Sequence, residues 1–211
     1  MRTTRLEAFS DGVLAIIITV MVLELKQPKD ASLYSLIHTT GSSLLSYLLS
    51  FVYVGIYWTN HHHMFQLTDR VTGGILWANL ALLFCLSLFP FTTEWTDTSH
   101  YARTPVVVYG INLLAAAATY TVLELTIIRC QGPGSVLRKA VGRDRKGKAS
   151  LAGCVVGCVS ALASGDRGWG RIGVWIGIGC FVAVACLWII PDRRIETVIT
   201  AYPEPDADEE K

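Results

Sequence analysis

Long uncharged stretches separated by short charged ones dominate the sequence pattern. Six stretches rich in apolar residues contain no Asp, Glu, Lys or Arg: 12–23, 31–68, 71–93, 104–123, 149–165 and 172–191. A transmembrane helix needs about 20 mostly apolar residues, and a soluble chain of 211 residues could not hide so many apolar segments in one core. The pattern therefore predicts an all-α, polytopic membrane protein with six transmembrane helices.

The same pattern gives approximate helix boundaries and a division of the chain. The six helices are predicted at about 6–25, 41–59, 71–91, 105–128, 150–165 and 170–190, the third ending at Pro90 and the sixth at Pro191. A basic linker, 129–149, joins the fourth helix to the fifth. Residues 1–195 form the predicted transmembrane unit, and the acidic composition of 196–211 predicts a disordered tail.

Composition and charge support this class and suggest an orientation. Charged residues make up 17% of the chain, against about 25% in typical soluble domains, and a net charge of +1 gives no reason to expect a nucleic-acid partner. With the N-terminus inside, 13 of the 18 Lys and Arg residues fall in inner segments and 5 in outer ones. The positive-inside rule then predicts a cell-membrane protein with both termini cytoplasmic.

The first helix carries the most informative polar residues. Ser10 and Asp11 stand at the mouth of an apolar helix, where polar groups are costly unless they face a cavity or find partners. One alternative is that either residue simply caps the helix.

An aliphatic stripe follows on the same helix. Ile16, Val20 and Leu23 share one helix face, with Thr19 beside them. Such a stripe is usually packing surface, but rings of aliphatic side chains also form hydrophobic constrictions in channels.

Other polar positions give weaker signals for chemistry. His61, His62 and His63 are consecutive, and adjacent helical residues point about 100° apart, so the three cannot bind one metal ion together. Asn79 and Asn112 lie within apolar spans, where polar side chains usually form hydrogen bonds between helices. No phosphate-binding loop, nucleophile motif or carboxylate pair is present, so we expect neither an enzyme nor a bound cofactor.

An RxxxFSD motif lies just inside the N-terminal helix and is formed by Arg5, Phe9, Ser10 and Asp11. This motif resembles the signature of the lysosomal and endosomal potassium-channel family (the transmembrane protein 175 family) and its bacterial homologues. Trp58, with His61 and His62 at the end of the second span, adds to the resemblance, as does the sequence that closes the sixth span. The resemblance covers about residues 3–195, one six-helix unit.

The resemblance implies a homotetramer whose first helices line a central pore, permeable to potassium ions and embedded in the lipid bilayer. By the same resemblance, Ile16 forms the constriction, Thr19 a hydroxyl layer, and Val20 and Leu23 further aliphatic layers. A hydrogen-bond network around the pore helices is implied for the residues Arg5, Phe9, Ser10, Asp11, Trp58 and His61. The implied function is a modestly selective potassium channel without a filter of backbone carbonyls. A small secondary transporter and a non-conducting membrane scaffold remain the alternatives.

Overall fold

The computed structural model describes residues 3–28, 30–68, 70–141, 145–165 and 171–189, and all regular structure in these ranges is helical. The prediction of an all-α protein is thus confirmed for the described part of the chain. Residues 196–211, predicted to be a disordered tail, lie outside the described residues, as does Pro191.

The first two membrane segments are formed by one helix and by a longer, nearly continuous helical path. Helix α1 runs over Thr3–Leu23. A short helix α2, Leu33–Ser35, continues through a π-helical turn, Leu36–Thr40, into α3, Gly41–Gln66. The second segment is therefore much longer than predicted, because no charge or proline interrupts the chain from 31 to 68.

The third segment continues past Pro90, contrary to the prediction that it ends there. Helix α4, Gly73–Ser87, is followed after one residue by α5, Phe89–Thr98. Pro90 lies in the first turn of α5, where backbone N–H groups lack an intrahelical partner and proline costs little. The helical path therefore continues for about two turns beyond the predicted end.

The fourth segment and the basic linker are also more helical than expected. Helix α6 covers Arg103–Gln131, and a 3-10 turn, Gly132–Gly134, leads to the short helix α7, Val136–Val141. The 3-10 turn starts at Gly132, whose φ of 77° is readily adopted only by glycine. The predicted linker thus contains a helix of its own.

The last two helices, α8 (Arg145–Leu162) and α9 (Ile172–Ile189), pack closely against each other. Small residues permit this approach: a Cβ on Gly177 would lie 2.7 Å from the backbone oxygen of Gly157. Helix α6 also packs against α8, and a Cβ on Gly110 would meet Cys158 and Phe181 at 2.5 Å.

Five helical segments among the described residues are long and apolar enough to cross a membrane: Thr3–Leu23, Leu33–Gln66, Gly73–Thr98, Arg103–Gly134 and Ile172–Ile189. The chain is therefore a multi-pass membrane protein. Helix α8, at the place of the predicted fifth span, is not among the five. It starts with three basic residues in its first four positions, so its apolar part is short.

Candidate functional site

Helix α1 has one buried face and one exposed face. Its buried residues are Leu6, Ser10, Leu14, Ile17 and Met21, which face α3, α4 and α5. The predicted stripe lies on the other side: Ile16 is 62% exposed, Leu23 is 80% exposed, and Thr19 and Val20 are also exposed. A single chain therefore leaves the whole stripe uncovered.

The hydroxyl of Thr19 is oriented by its own helix. Its Oγ1 donates a hydrogen bond to the carbonyl oxygen of Ile16 at 2.8 Å. Because a hydroxyl has one proton and two acceptor lone pairs, the proton is used within the helix and the lone pairs stay available. The exposed face of α1 thus presents an oxygen acceptor one turn beyond Ile16.

A chain of buried hydrogen bonds connects α1, α4 and α3. His61 Nε2 lies 2.8 Å from Asn79 Oδ1, and Asn79 Nδ2 donates to Ser10 Oγ at 3.0 Å. Ser10 Oγ in turn donates to the carbonyl oxygen of Leu6 at 2.9 Å. The amide oxygen of Asn79 can only accept a hydrogen bond. His61 therefore carries its proton on Nε2 and donates it to Asn79 Oδ1.

Asn79 takes part in these hydrogen bonds, although the predicted network did not include it. It is fully buried. It links His61, which is 18 positions away in the sequence, to Ser10, which is 69 positions away. Its only sequence signal was an amide within an uncharged span. Asn112, predicted to behave similarly, is buried on α6 and its side-chain amide has no hydrogen-bond partner among the described residues.

The other predicted network residues lie near the surface of the single chain. Trp58 Nε1 donates to Asp11 Oδ1 at 2.9 Å, which ties α3 to α1. His62 stacks on Trp58, with ring centroids 6.3 Å apart. Arg5 and Phe9 are exposed, and in the described part of the chain Arg5 forms no hydrogen bond or ion pair. One chain therefore joins Ser10 to His61 and Asp11 to Trp58, and leaves Arg5 and Phe9 outside.

The three consecutive histidines have different environments. His61 is buried, whereas His62 is exposed and contacts Gln66 at 3.1 Å. Within the described ranges, no three His, Cys, Asp or Glu side chains are grouped so that they could hold a metal ion.

The sequence matches a known channel family over its N-terminal part and known relatives over most of its length. A family described as endosomal/lysosomal potassium channel TMEM175 matches residues 5–90. A protein named as a potassium channel from Chryseobacterium sp. is 51% identical over 192 residues, which is 91% of this chain and 95% of the relative.

A solved bacterial structure and a human protein also match this chain. A crystal structure, described as a lysosomal potassium-selective channel TMEM175 homolog from Chamaesiphon minutus, superimposes with a TM-score of 0.72 at 26% identity. It covers 91% of this chain and 97% of the homolog. The human protein named endosomal/lysosomal proton channel TMEM175 is 34% identical over 112 residues, 48% of this chain and 22% of the human one. The identity over nearly the full length and the shared fold show that this chain belongs to the TMEM175 channel family.

Proposed function

We propose that the protein is a potassium-permeable, modestly selective cation channel whose pore is lined by α1 from four copies of the chain. The observation that carries this proposal is the uncovered stripe of Ile16, Thr19, Val20 and Leu23 on α1. A single helix cannot enclose a pore, whereas a closed ring of identical subunits brings the same stripe to a common axis. The potassium channels among its relatives support the choice of ion.

In this proposal Ile16 forms the narrowest point. Four isoleucine side chains offer no ligands, so an ion passing them gives up part of its hydration shell. Potassium holds its water less tightly than sodium, so its partial dehydration costs less free energy. Thr19 oxygens, one turn away, replace some of the lost water. Selectivity of this kind is modest because no backbone carbonyls coordinate the ion.

The polar residues behind α1 set its position in the assembly. The Ser10–Asn79–His61 chain holds the buried face of α1 against α4 and α3, and Trp58 fixes Asp11. Arg5 and Phe9 are exposed in one chain, which leaves them available to a neighbouring copy. We assign them to contacts between subunits, where Arg5 would find its partners.

The orientation in the membrane follows from the distribution of basic residues. We propose that α8 forms the sixth crossing with the support of α9 and α6, so that both termini lie in the cytoplasm of a cell-membrane protein. Green fluorescent protein fused to the C-terminus should then fluoresce, and alkaline phosphatase at the same place should be inactive. The opposite result would place the C-terminus outside.

The test of the proposed pore is a reversal potential. Purified protein in a planar bilayer, with potassium on one side and sodium on the other, should give a cation current biased toward potassium. Ile16→Asn should move the reversal potential toward zero, because an amide at the constriction replaces lost water for both ions. Val22→Asn is the matched control: Val22 is also exposed on α1, but lies about 120° around the helix from Ile16.

The three outcomes separate the alternatives. An unchanged reversal potential in Ile16→Asn would keep the channel and reject the constriction. An equal shift in Val22→Asn would show that the effect is not specific to the stripe. No current from correctly inserted protein would favour a transporter or a scaffold.

A further inference from the structure

The chain that leaves the C-terminal end of α1 contacts two other membrane segments at Lys26. Thr40, immediately before α3, donates a hydrogen bond from its Oγ1 to the carbonyl oxygen of Lys26 at 2.7 Å. The ammonium nitrogen of Lys26 lies 3.6 Å from Oδ2 of Asp97, near the end of α5. Because α1 ends at Leu23, these contacts lie close to the last residue of the stripe.

Asp97 is the buried partner in this group. It is 7% exposed, and its Oδ2 accepts a hydrogen bond from Ser43 Oγ at 2.6 Å. Its Oδ1 has no hydrogen-bond partner among the described residues, and Lys26 is its one ion-pair partner in the same part of the chain. A buried carboxylate is costly unless it is paired, so the charge of Asp97 depends on Lys26 for compensation. We call Lys26, Thr40, Ser43 and Asp97 the Lys26 cluster.

The burial of Asp97 makes this pair stronger than its exposure alone suggests. The Lys26 side chain is 47% exposed, and an ion pair at such a site is usually weak. Asp97, however, is held in the protein by Ser43, so it stays buried when the ammonium group turns away. An open pair leaves a buried charge uncompensated, and the closed pair is therefore favoured.

Apolar packing alone does not fix the end of α1 beside this cluster. A space of about 20 Å³, enough for one water molecule, lies between the end of α1, α3 and α5. Met21 and Leu25 line it on the side of α1, and Ser43 and Asp97 line it on the opposite side. The polar contacts of the cluster therefore have a larger share in holding this end of α1 than they would have in a close-packed interface.

We propose that Asp97 is a positioning residue for the pore, and that through Lys26 it holds the C-terminal end of α1 at a fixed distance from the pore axis. This inference rests on the proposed function, in which four copies of α1 line the pore. Leu23 is 80% exposed, so its own side-chain packing within one chain does not fix it. When the Lys26–Asp97 contact opens, the end of α1 moves more freely and Leu23 side chains intermittently block the conduction path.

Single-channel recording in planar bilayers with equal KCl on both sides tests this inference. Lys26→Gln and Asp97→Asn each remove one charge of the pair, and each should raise the frequency of brief closures by about threefold or more, the factor that corresponds to a weak ion pair. The double variant should close as often as the single variants, because both changes remove the same contact. Lys26→Arg keeps the charge and should restore the closure frequency of wild type.

Glu94→Gln is the matched control. Glu94 lies about one turn before Asp97 on α5, is exposed, and forms no ion pair among the described residues. A purely electrostatic effect of a lost carboxylate on passing ions would appear in this variant as well. Since Lys26 is half-exposed, Lys26→Gln should fold normally and keeps the test valid if Asp97→Asn does not fold.

Amide hydrogen exchange gives a second readout that needs no current. In Lys26→Gln, peptides covering residues 21–28 should exchange about threefold faster or more, because the end of α1 opens more often when the pair is lost. Peptides from α6 should exchange at the rate of wild type. Glu94→Gln should leave both sets of peptides unchanged.

Three results would overturn the inference: a closure frequency in Lys26→Gln equal to that of wild type, an equal increase in Glu94→Gln, or unchanged exchange of residues 21–28 in Lys26→Gln. Absence of current from correctly inserted wild type would instead refute the proposed function. In that case faster exchange in Lys26→Gln would still support the role of Asp97 in holding α1, and unchanged exchange would reject it.

Discussion

At the scale of single residues, buried polar groups in this protein are placed where helices must be held in one register. Ser10, Asn79 and His61 belong to three different helices, yet their side chains form one directed chain of hydrogen bonds. In lipid there is little hydrophobic force between helices, so packing and hydrogen bonds such as these fix their relative positions. Asn79 matters most because both of its polar atoms are used.

Replacing Asn79 with leucine changes the side-chain volume little but removes the amide, so it should destabilise the protein. Asn79→Leu leaves Ser10 Oγ and His61 Nε2 without this partner, and each unsatisfied buried group costs about 1–3 kcal/mol. We expect a clear drop in the thermal unfolding midpoint of the purified protein.

Ser87→Ala is the control for this change. Ser87 is exposed on the same helix, and among the described residues its hydroxyl bonds only to the carbonyl oxygen of Phe84. Its removal should therefore shift stability by less than about 0.5 kcal/mol. Equal midpoints for Asn79→Leu and wild type would show that the buried chain contributes nothing to stability.

At the scale of elements, the contact between α8 and α9 depends on glycine at defined positions. A Cβ on Gly177 would lie 2.7 Å from the backbone oxygen of Gly157, a contact that no side-chain rotation can relieve. Gly179, two residues later on the same helix, has nothing within 4 Å of the corresponding position. The two glycines therefore have different roles, although the sequence around them looks alike.

Alanine substitution should separate these roles. Gly179→Ala should be neutral or stabilise α9 by about 0.5–1 kcal/mol, because alanine is the better helix former. Gly177→Ala should lower stability by about 1–3 kcal/mol, since the helices must move apart. Thermal unfolding of both variants measures the difference, and the same midpoint for both would mean that α8 and α9 are not packed this closely.

At the scale of the whole molecule, the chain is a helical membrane protein of a channel family. Family membership confirms the predicted relation to the TMEM175 family and the expectation that the protein is not an enzyme. The single chain leaves much apolar surface exposed on α1 and α3. Lipid can cover most of such surface, but the stripe on α1 also carries Thr19, with Asp11 and Arg5 exposed on the same helix, which favours a polar pathway or a second chain.

The proposed ring of four makes a simple prediction about mass. Native mass spectrometry of the protein released from detergent should show a species of four times 23.1 kDa. Ile16→Cys should form disulfides between chains under mild oxidation, because four copies of α1 bring residue 16 to one axis. Val22→Cys, on a different face of the same helix, should form far fewer. A monomeric mass in several mild detergents, together with no cross-linking, would contradict the ring.

The sequence alone determined the helical membrane class, most of the spans and the stripe on α1. These properties are local: uncharged stretches must become helices in lipid because each backbone group needs an internal hydrogen-bond partner, and helical periodicity then decides which side chains share a face. Only the tertiary structure decided that the third segment continues past Pro90, that Asn79 joins Ser10 to His61, and that Asp97 is buried beside Lys26 near the end of α1. Those outcomes depend on how residues tens of positions apart meet when the helices pack, and no periodicity within one helix contains that register.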